Sequence, residues 1–198
     1  MAEDVVNVLD RERIRHCSLI GHSMGGKVAM VMALTRPERV SSMIVADIAP
    51  TTYRRSYDNL IASLQSVDVD SATSRADVDS ELATQIEDRR VRQFLLTNLQ
   101  TAEGEGYSWR IPLDILANAV SEIAGFPDFD GVYLNPALFV YGSLSDYFVA
   151  ERDKALVDNY FPNAEFVEMA DTGHWLHAEK PAEFNCIVSS FFREKGLF

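Results

Sequence analysis

The chain has 198 residues, 47% hydrophobic and 24% charged, with a formal net charge of −12. That is enough for a globular chain with a real core, and the acidity argues against nucleic acid or an anionic membrane surface as a partner. Two cysteines, Cys17 and Cys186, make no disulfide framework and suggest a reducing, intracellular setting. No run reaches the roughly 18 apolar residues of a spanning helix, and neither a secretory signal nor an Arg-rich presequence is expected at the N-terminus.

In chain order, MAEDVVNVLD reads as a helix with Val5, Val6 and Leu9 on one stripe. Arg11 to Arg15 form a charged connector. Cys17 to Ile20 are apolar apart from Ser18 and suit a buried strand. A glycine-rich turn follows, then a helix carrying Val28, Met30, Val31, Met32 and Leu34 that ends near Pro37. Val40 to Ala46 (VSSMIVA) is a second buried strand, with Asp47-Ile48-Ala49-Pro50 at its C-terminal end. In parallel α/β sheets ligands and catalytic groups collect at that end.

Residues 51–125 change character, with no strand pattern. Short helices are expected over Tyr57 to Leu64, Arg75 to Ile86 and Arg89 to Leu99, then a loop from Thr101 to Tyr107. Pro112 opens a further helix with Leu113, Leu116, Val120 and Ile123 on one face. The segment reads as a helical lid insertion in a core made of residues 1–50 and 126–198. Leu60, Leu64, Phe94, Leu95 and Trp109 would form either an apolar pocket wall or the packing of the lid itself. Strand pattern returns at Ala137 to Tyr141, a helix covers Phe148 to Tyr160, Glu165 to Met169 is a last strand, and a helix from about Pro181 closes the chain. The order implies a parallel sheet of about four strands with crossover helices.

The chemistry concentrates at Gly21-His22-Ser23-Met24-Gly25, a G-x-S-x-G turn between a strand and a helix. A serine there stands on strained backbone with its hydroxyl clear of the sheet. Residues two before and two after it come close together, so Gly21 and Gly25 are expected to matter for lacking a Cβ, and Gly26 and Ala29 to let the helix lie close to the sheet. The helix N-terminus presents free N–H groups, and the Met24 N–H is the expected oxyanion donor. A serine nucleophile needs a base and a group that orients the base. Of four histidines, His16 precedes the strand, His22 should face away from the open side of the turn, and His177 lies beyond Leu176. His174, in a G-H turn after the last strand, is the expected base. For the acid, Asp47 comes first because its strand should neighbour that of Ser23. Asp146 in GSLSD and Asp114 on its helix remain alternatives.

These stretches are also the ones that carry a resemblance. GHSMGGKVAMVMAL with RPERV, then VADIAP, WRIPLD, LFVYGSLSDYFV and GHWLHAEKPAEF resemble the esterase branch of the α/β-hydrolase superfamily, which holds small bacterial esterases and related eukaryotic domain-containing proteins. The resemblance covers nearly the whole chain. It implies esterase or acyl-lipid hydrolysis of a small-molecule substrate through a Ser-Asp-His triad, without a metal or organic cofactor. Many members place the acid as G-x-x-D after the strand that here is Ala137 to Tyr141, where this chain has Ser145. Relatives with a D-I-A/S-P stretch place it at the equivalent of Asp47. Eukaryotic members are mitochondrial, so a targeting segment would lie upstream; a bacterial member would be cytoplasmic.

Against that family the chain is expected to lack the first strands, since Cys17 stands only sixteen residues in. The His-Gly loop that supplies a second oxyanion donor is absent, a change that costs about 10²–10³ in rate. The strand before Ser23 should then be an exposed edge, open to a protein partner or to self-association. An alternative reading is therefore a short, catalytically weak form that acts as a binding or regulatory partner. A hydrolytic dehalogenase is disfavoured, because it would carry Asp at the nucleophile position.

Overall fold

The computed structural model describes residues 1–53, 58–102, 104 and 106–197 (of Asp58, the backbone alone). Tyr57, the expected start of the third helix, lies outside them, as do Glu103 and Glu105 of the expected loop. The elements in chain order are α1 (Ala2–Arg11), β1 (Cys17–His22), α2 (Met24–Thr35), a 3-10 turn (Pro37–Arg39) and β2 (Val40–Ala46). Next come α3 (Asp58–Ser66), α4 (Arg75–Leu82), α5 (Arg89–Leu96), β3 (Leu99–Thr101), β4 (Tyr107–Trp109) and α6 (Leu113–Ala124). The chain ends with β5 (Ala137–Gly142), α7 (Ala150–Tyr160), β6 (Ala164–Met169), α8 (Leu176–Glu179) and α9 (Pro181–Glu194). None of these helices is long and apolar enough to cross a membrane.

The chain divides into two compact units, Met1–Thr51 with Phe126–Phe198, and Thr52–Gly125. The first holds a four-stranded parallel sheet in the order β1-β2-β5-β6. Its two central strands are largely apolar, with Ser41 and Ser42 the polar exceptions in β2, because both faces are covered. Ile44, Leu138, Val140 and Met169 pack with Leu176, Phe191 and Phe192 in one cluster. The buried Tyr133 hydroxyl donates to the Val40 carbonyl at 3.0 Å. At the β1 edge, Ile20 is 53% exposed. A groove beside it is lined by Val5, Leu19, Ile20, Val28 and Met32 among others.

The register determines what happens at the C-terminal ends of the strands. His22 pairs with Ala46, Ala46 with Val140, and Gly142 with Met169. Four strands thus finish side by side, and the residues after them meet. Three of those ends turn through a non-glycine residue at positive φ: Ser23 (53°), Asp47 (53°) and Asp171 (52°).

The second unit has a core of its own, with Leu64, Val78, Leu82, Leu95 and Leu96 at its centre. Ser74 and Asp77 make a reciprocal capping box that starts α4. The unit corrects the expectation of no strands: β3 and β4 pair antiparallel, from Leu99–Trp109 to Thr101–Tyr107. Strands of three residues are too short for an alternation signal. Leu64 and Leu95 are core, with Leu60 and Trp109 packed against it, whereas Phe94 is 58% exposed. Helix α4 stops four residues earlier than expected, at Leu82.

The turn glycines divide differently from the sequence expectation. A Cβ on Gly21 would lie 2.3 Å from the Gly25 carbonyl oxygen, and one on Gly26 would lie 2.6 Å from Ile48 Cγ2. A Cβ on Gly25 would meet nothing within 4 Å. Gly21 and Gly25 thus approach each other and Gly26 lies close to the sheet, as expected, but only Gly21 and Gly26 lack room for a Cβ. Gly21→Ala should lower stability by about 1–3 kcal/mol through overpacking against backbone. Gly25→Ala, inside α2, should leave it unchanged or raise it by about 0.5–1 kcal/mol. Urea-unfolding midpoints of the two variants check the contrast; equal effects would contradict it.

Candidate active site

The site grows from the strand ends. β1 leads into Ser23, whose N–H donates to the Ala46 carbonyl at 3.0 Å, locking the turn to the end of β2. The Ser23 carbonyl accepts from Gly26 and Lys27, so α2 starts at once. φ 53° and ψ −122° is a costly conformation for serine, and these backbone bonds hold it. Met24 is the first helical residue. Its N–H lies in the turn where an α-helix offers no i−4 carbonyl, so it suits an incoming oxyanion.

His174 sits in the loop between β6 and α8. Its Nε2 is 3.0 Å from Ser23 Oγ and its Nδ1 is 2.7 Å from Asp47 Oδ2. A carboxylate only accepts, so Nδ1 carries the proton and Nε2 is free to accept from the Ser23 hydroxyl. Tyr147 stacks on the imidazole, with ring centroids 3.7 Å apart and planes 18° apart.

Asp47 follows β2 and is only 1% exposed. Its N–H donates to the Val140 carbonyl at 2.8 Å. Its Oδ1 accepts from the Gly142 N–H at 3.1 Å. Its Oδ2 accepts from both the Ser145 hydroxyl and His174. Three donors match the buried charge. Ser145, at the G-x-x-D position, thus hydrogen-bonds Asp47, and its Oγ also accepts from the Tyr147 N–H at 3.2 Å.

The two alternative acids are placed differently. Asp146 is exposed, and its carbonyl accepts from Arg152 at 3.5 Å. Asp114 is exposed on α6 in the second unit, where its Oδ1 accepts from Gln65 at 2.8 Å. His16 is also exposed and sits 3.1 Å from the Ser41 hydroxyl.

His22 departs from the expectation that it faces away. Its Nε2 lies 2.7 Å from the His174 carbonyl oxygen, and its ring centroid is 4.6 Å from that of His174 and 4.5 Å from that of His177. Alternation along a strand told which way the side chain leaves β1, but not that the His174 loop folds back over it. The close sequence spacing of His174 and His177 on either side of a short helix start was the available signal. Burial pushes His22 down to about 4 and lowers His177 as well. Among the described residues no group of three or more His, Cys, Asp or Glu side chains could hold a metal ion.

Comparison with known proteins agrees with this architecture. The sequence profile described as "alpha/beta hydrolase fold" matches residues 1–181. The chain is 38% identical over 199 residues to the sn-1-specific diacylglycerol lipase ABHD11 of Danio rerio, covering 98% of this chain and 62% of that protein. It is 34% identical over 185 residues to esterase YbfF of Escherichia coli, covering 91% and 69%. The solved structure of a marine microorganism esterase superposes with a TM-score of 0.91 at 36% identity, covering 96% of this chain and 75% of that one. The chain spans 61–64% of the length of the first curated relatives it matches. With a parallel sheet, a G-x-S-x-G elbow and relatives of this similarity, the chain belongs to the α/β-hydrolase fold family.

Proposed function

We propose that this protein is a serine hydrolase of small carboxylesters or acyl lipids, working through Ser23, His174 and Asp47 by way of an acyl-enzyme. The observation that carries the reading is one unbroken line of hydrogen bonds, from Asp47 Oδ2 through both His174 nitrogens to Ser23 Oγ. The Danio rerio relative is named as a diacylglycerol lipase and the Escherichia coli relative as an esterase, which supports an acyl ester as the substrate class.

In this mechanism His174 Nε2 takes the Ser23 proton as Oγ bonds to the ester carbonyl carbon. The displaced electron pair moves onto the carbonyl oxygen, toward the Met24 N–H. Asp47 holds the imidazole in its Nδ1–H tautomer and stabilises the charge it gains. The intermediate collapses, and His174 returns the proton to the departing alcohol. Water then attacks the acyl-enzyme with the same histidine as base, releasing the acid and restoring Ser23. The cycle consumes ester and water alone.

A second reading, a weakly catalytic form that binds a partner, draws on the exposed Ile20 at the edge of β1. A fluorophosphonate probe separates the two. Labelling of the folded chain, lost in Ser23→Ala, supports the hydrolase; a folded wild-type chain that stays unlabelled counts for the second reading.

Kinetics on a short-chain p-nitrophenyl ester test the roles. Ser23→Ala and His174→Ala should each lower kcat by about 10⁴–10⁶-fold; turnover retained in either would refute the assignment. Among the acids, Asp47→Asn should cost about 10⁴-fold, while Asp146→Asn and Asp114→Asn stay near wild type. The reverse order would move the acid to one of the other two.

A further inference from the structure

We propose that His22, the residue before the nucleophile, is a positioning residue that clamps the backbone of the base: its ring N–H holds the His174 carbonyl and so sets how the His174 imidazole meets Ser23. The inference rests on the hydrolase reading above. It begins from a 2.7 Å contact between His22 Nε2 and the His174 carbonyl oxygen. A carbonyl only accepts, so Nε2 carries the proton and donates. That fixes the His22 tautomer and ties the loop after β6 to the last residue of β1.

The arrangement gives His174 two anchors from adjacent residues of one rigid turn. Ser23 meets its ring, and His22 holds its main chain. The turn itself is tightly closed, since Gly21 packs against the Gly25 carbonyl with no room for a Cβ. Beside the hold of Asp47 and Tyr147 on its ring, the backbone of a single dipeptide thus bears on the spacing between Ser23 and His174. The His22 ring is itself wedged. The His174 ring stands 4.6 Å from it, and the His177 ring 4.5 Å, tilted by 55°. His177 packs in turn against Phe184. The buried Nδ1 of His177 has no hydrogen-bond partner among the described residues. Its ring therefore serves here by packing, as the backing of His22.

The charge state fits the role. The titratable groups facing His22 are His174, His177 and Asp47, with Glu179 beside His177. Burial outweighs the bond to the His174 carbonyl, which by itself favours the charged ring, and with the smaller effect of the neighbouring imidazoles it keeps His22 neutral down to about pH 4. A neutral clamp leaves the imidazolium that forms on His174 without a like charge at its side.

The sign of the pH effect follows. His22 ordinarily titrates near 6.5 and is depressed to about 4 in the folded chain. Between those values the unfolded chain takes up a proton that the folded chain refuses. This contribution to stability is complete above about pH 6.5, shrinks as pH falls through the window, and levels off below about 4. His177 is shifted in the same direction by burial. His22→Gln should therefore flatten, without abolishing, the loss of the urea midpoint between pH 7 and 4; a slope as steep as wild type would contradict the buried neutral ring.

The kinetic test compares His22→Gln, which keeps an N–H donor, with His22→Leu, which fills the space without one. His22→Met, also lacking the donor, serves if the leucine variant does not fold. Each is measured for kcat and KM on the same p-nitrophenyl ester, and for the low-field NMR proton of the His174–Asp47 bond. The expected result is a kcat about 10–100-fold lower in the leucine or methionine variant, the scale of a small misplacement. KM stays unchanged, the low-field signal is lost, and the glutamine variant restores both kcat and signal. Wild-type kcat and signal in the leucine variant would overturn the proposal, and so would a glutamine variant as defective as leucine. If the wild-type chain shows no turnover while the low-field signal still follows the donor, the clamp stands and the hydrolase reading fails.

Discussion

The Asp47 carboxylate is the constraint on which the rest of the first unit depends. A carboxylate 1% exposed must find inside the protein the hydrogen bonds it gives up in water. Each of its donors comes from a different part of the chain. Gly142 ends β5, Ser145 lies in the next loop, and His174 follows β6. They converge only because β2 and β5 run parallel in a register that sets Ala46 beside Val140. A slipped register would leave a buried charge unsatisfied, a defect worth several kcal/mol per ion. The same requirement that orients the candidate base therefore helps to specify the sheet.

The strand ends show where local strain is held. Ser23, Asp47 and Asp171 all adopt a positive φ that L-residues with side chains avoid. Each is tied by its own N–H: Ser23 to Ala46, Asp47 to Val140 and Asp171 to the Ser143 hydroxyl. Gly142 completes the arrangement, because a Cβ there would lie 2.4 Å from the Thr172 carbonyl oxygen. The loops after β5 and β6 consequently press together, which brings Ser145, Tyr147 and His174 around one carboxylate. Rigid strands make the strained turns affordable, and the turns aim the side chains.

Much of this was legible in the residues. The strand-turn-helix around Ser23 announced itself through apolar runs on both flanks of a glycine-rich turn, and VSSMIVA matches β2 to the residue. The choice among Asp47, Asp146 and Asp114 was not settled by spacing, because it depends on which strands are neighbours. Only the three-dimensional register shows Ser145 handing its hydroxyl to Asp47. His22 was misjudged because side-chain direction along a strand says nothing of a loop that arrives from 152 residues away. The close approach of Gly21 to Gly25 and of Gly26 to the sheet follows from the motif, but which partner lacks room for a Cβ does not: it is Gly21 and Gly26, not Gly25. The hairpin of β3 and β4 and the four-residue α8 are too brief to leave any periodicity.

The long reach of these contacts has a kinetic side. Ser23 and His174 are separated by 151 positions, and Asp47 and His174 by 127. Residues 52–125, with a core of their own, lie between β2 and β5 in sequence. Parallel pairing across such separations is slow, because loop closure is costly before any contact rewards it. Closure entropy grows only with the logarithm of length, however, so an intervening segment that collapses on its own makes the closure easier. During synthesis, at about 5–20 residues per second, β1, β2 and the elbow leave the ribosome many seconds before β6. Through that interval Ser23 lacks its hydrogen bond to His174, and β2 lacks its pairing with β5. The hydrogen-bonded line from Asp47 through His174 to Ser23 therefore closes only after β6 has been made, and exposed strand edges matter most before that moment.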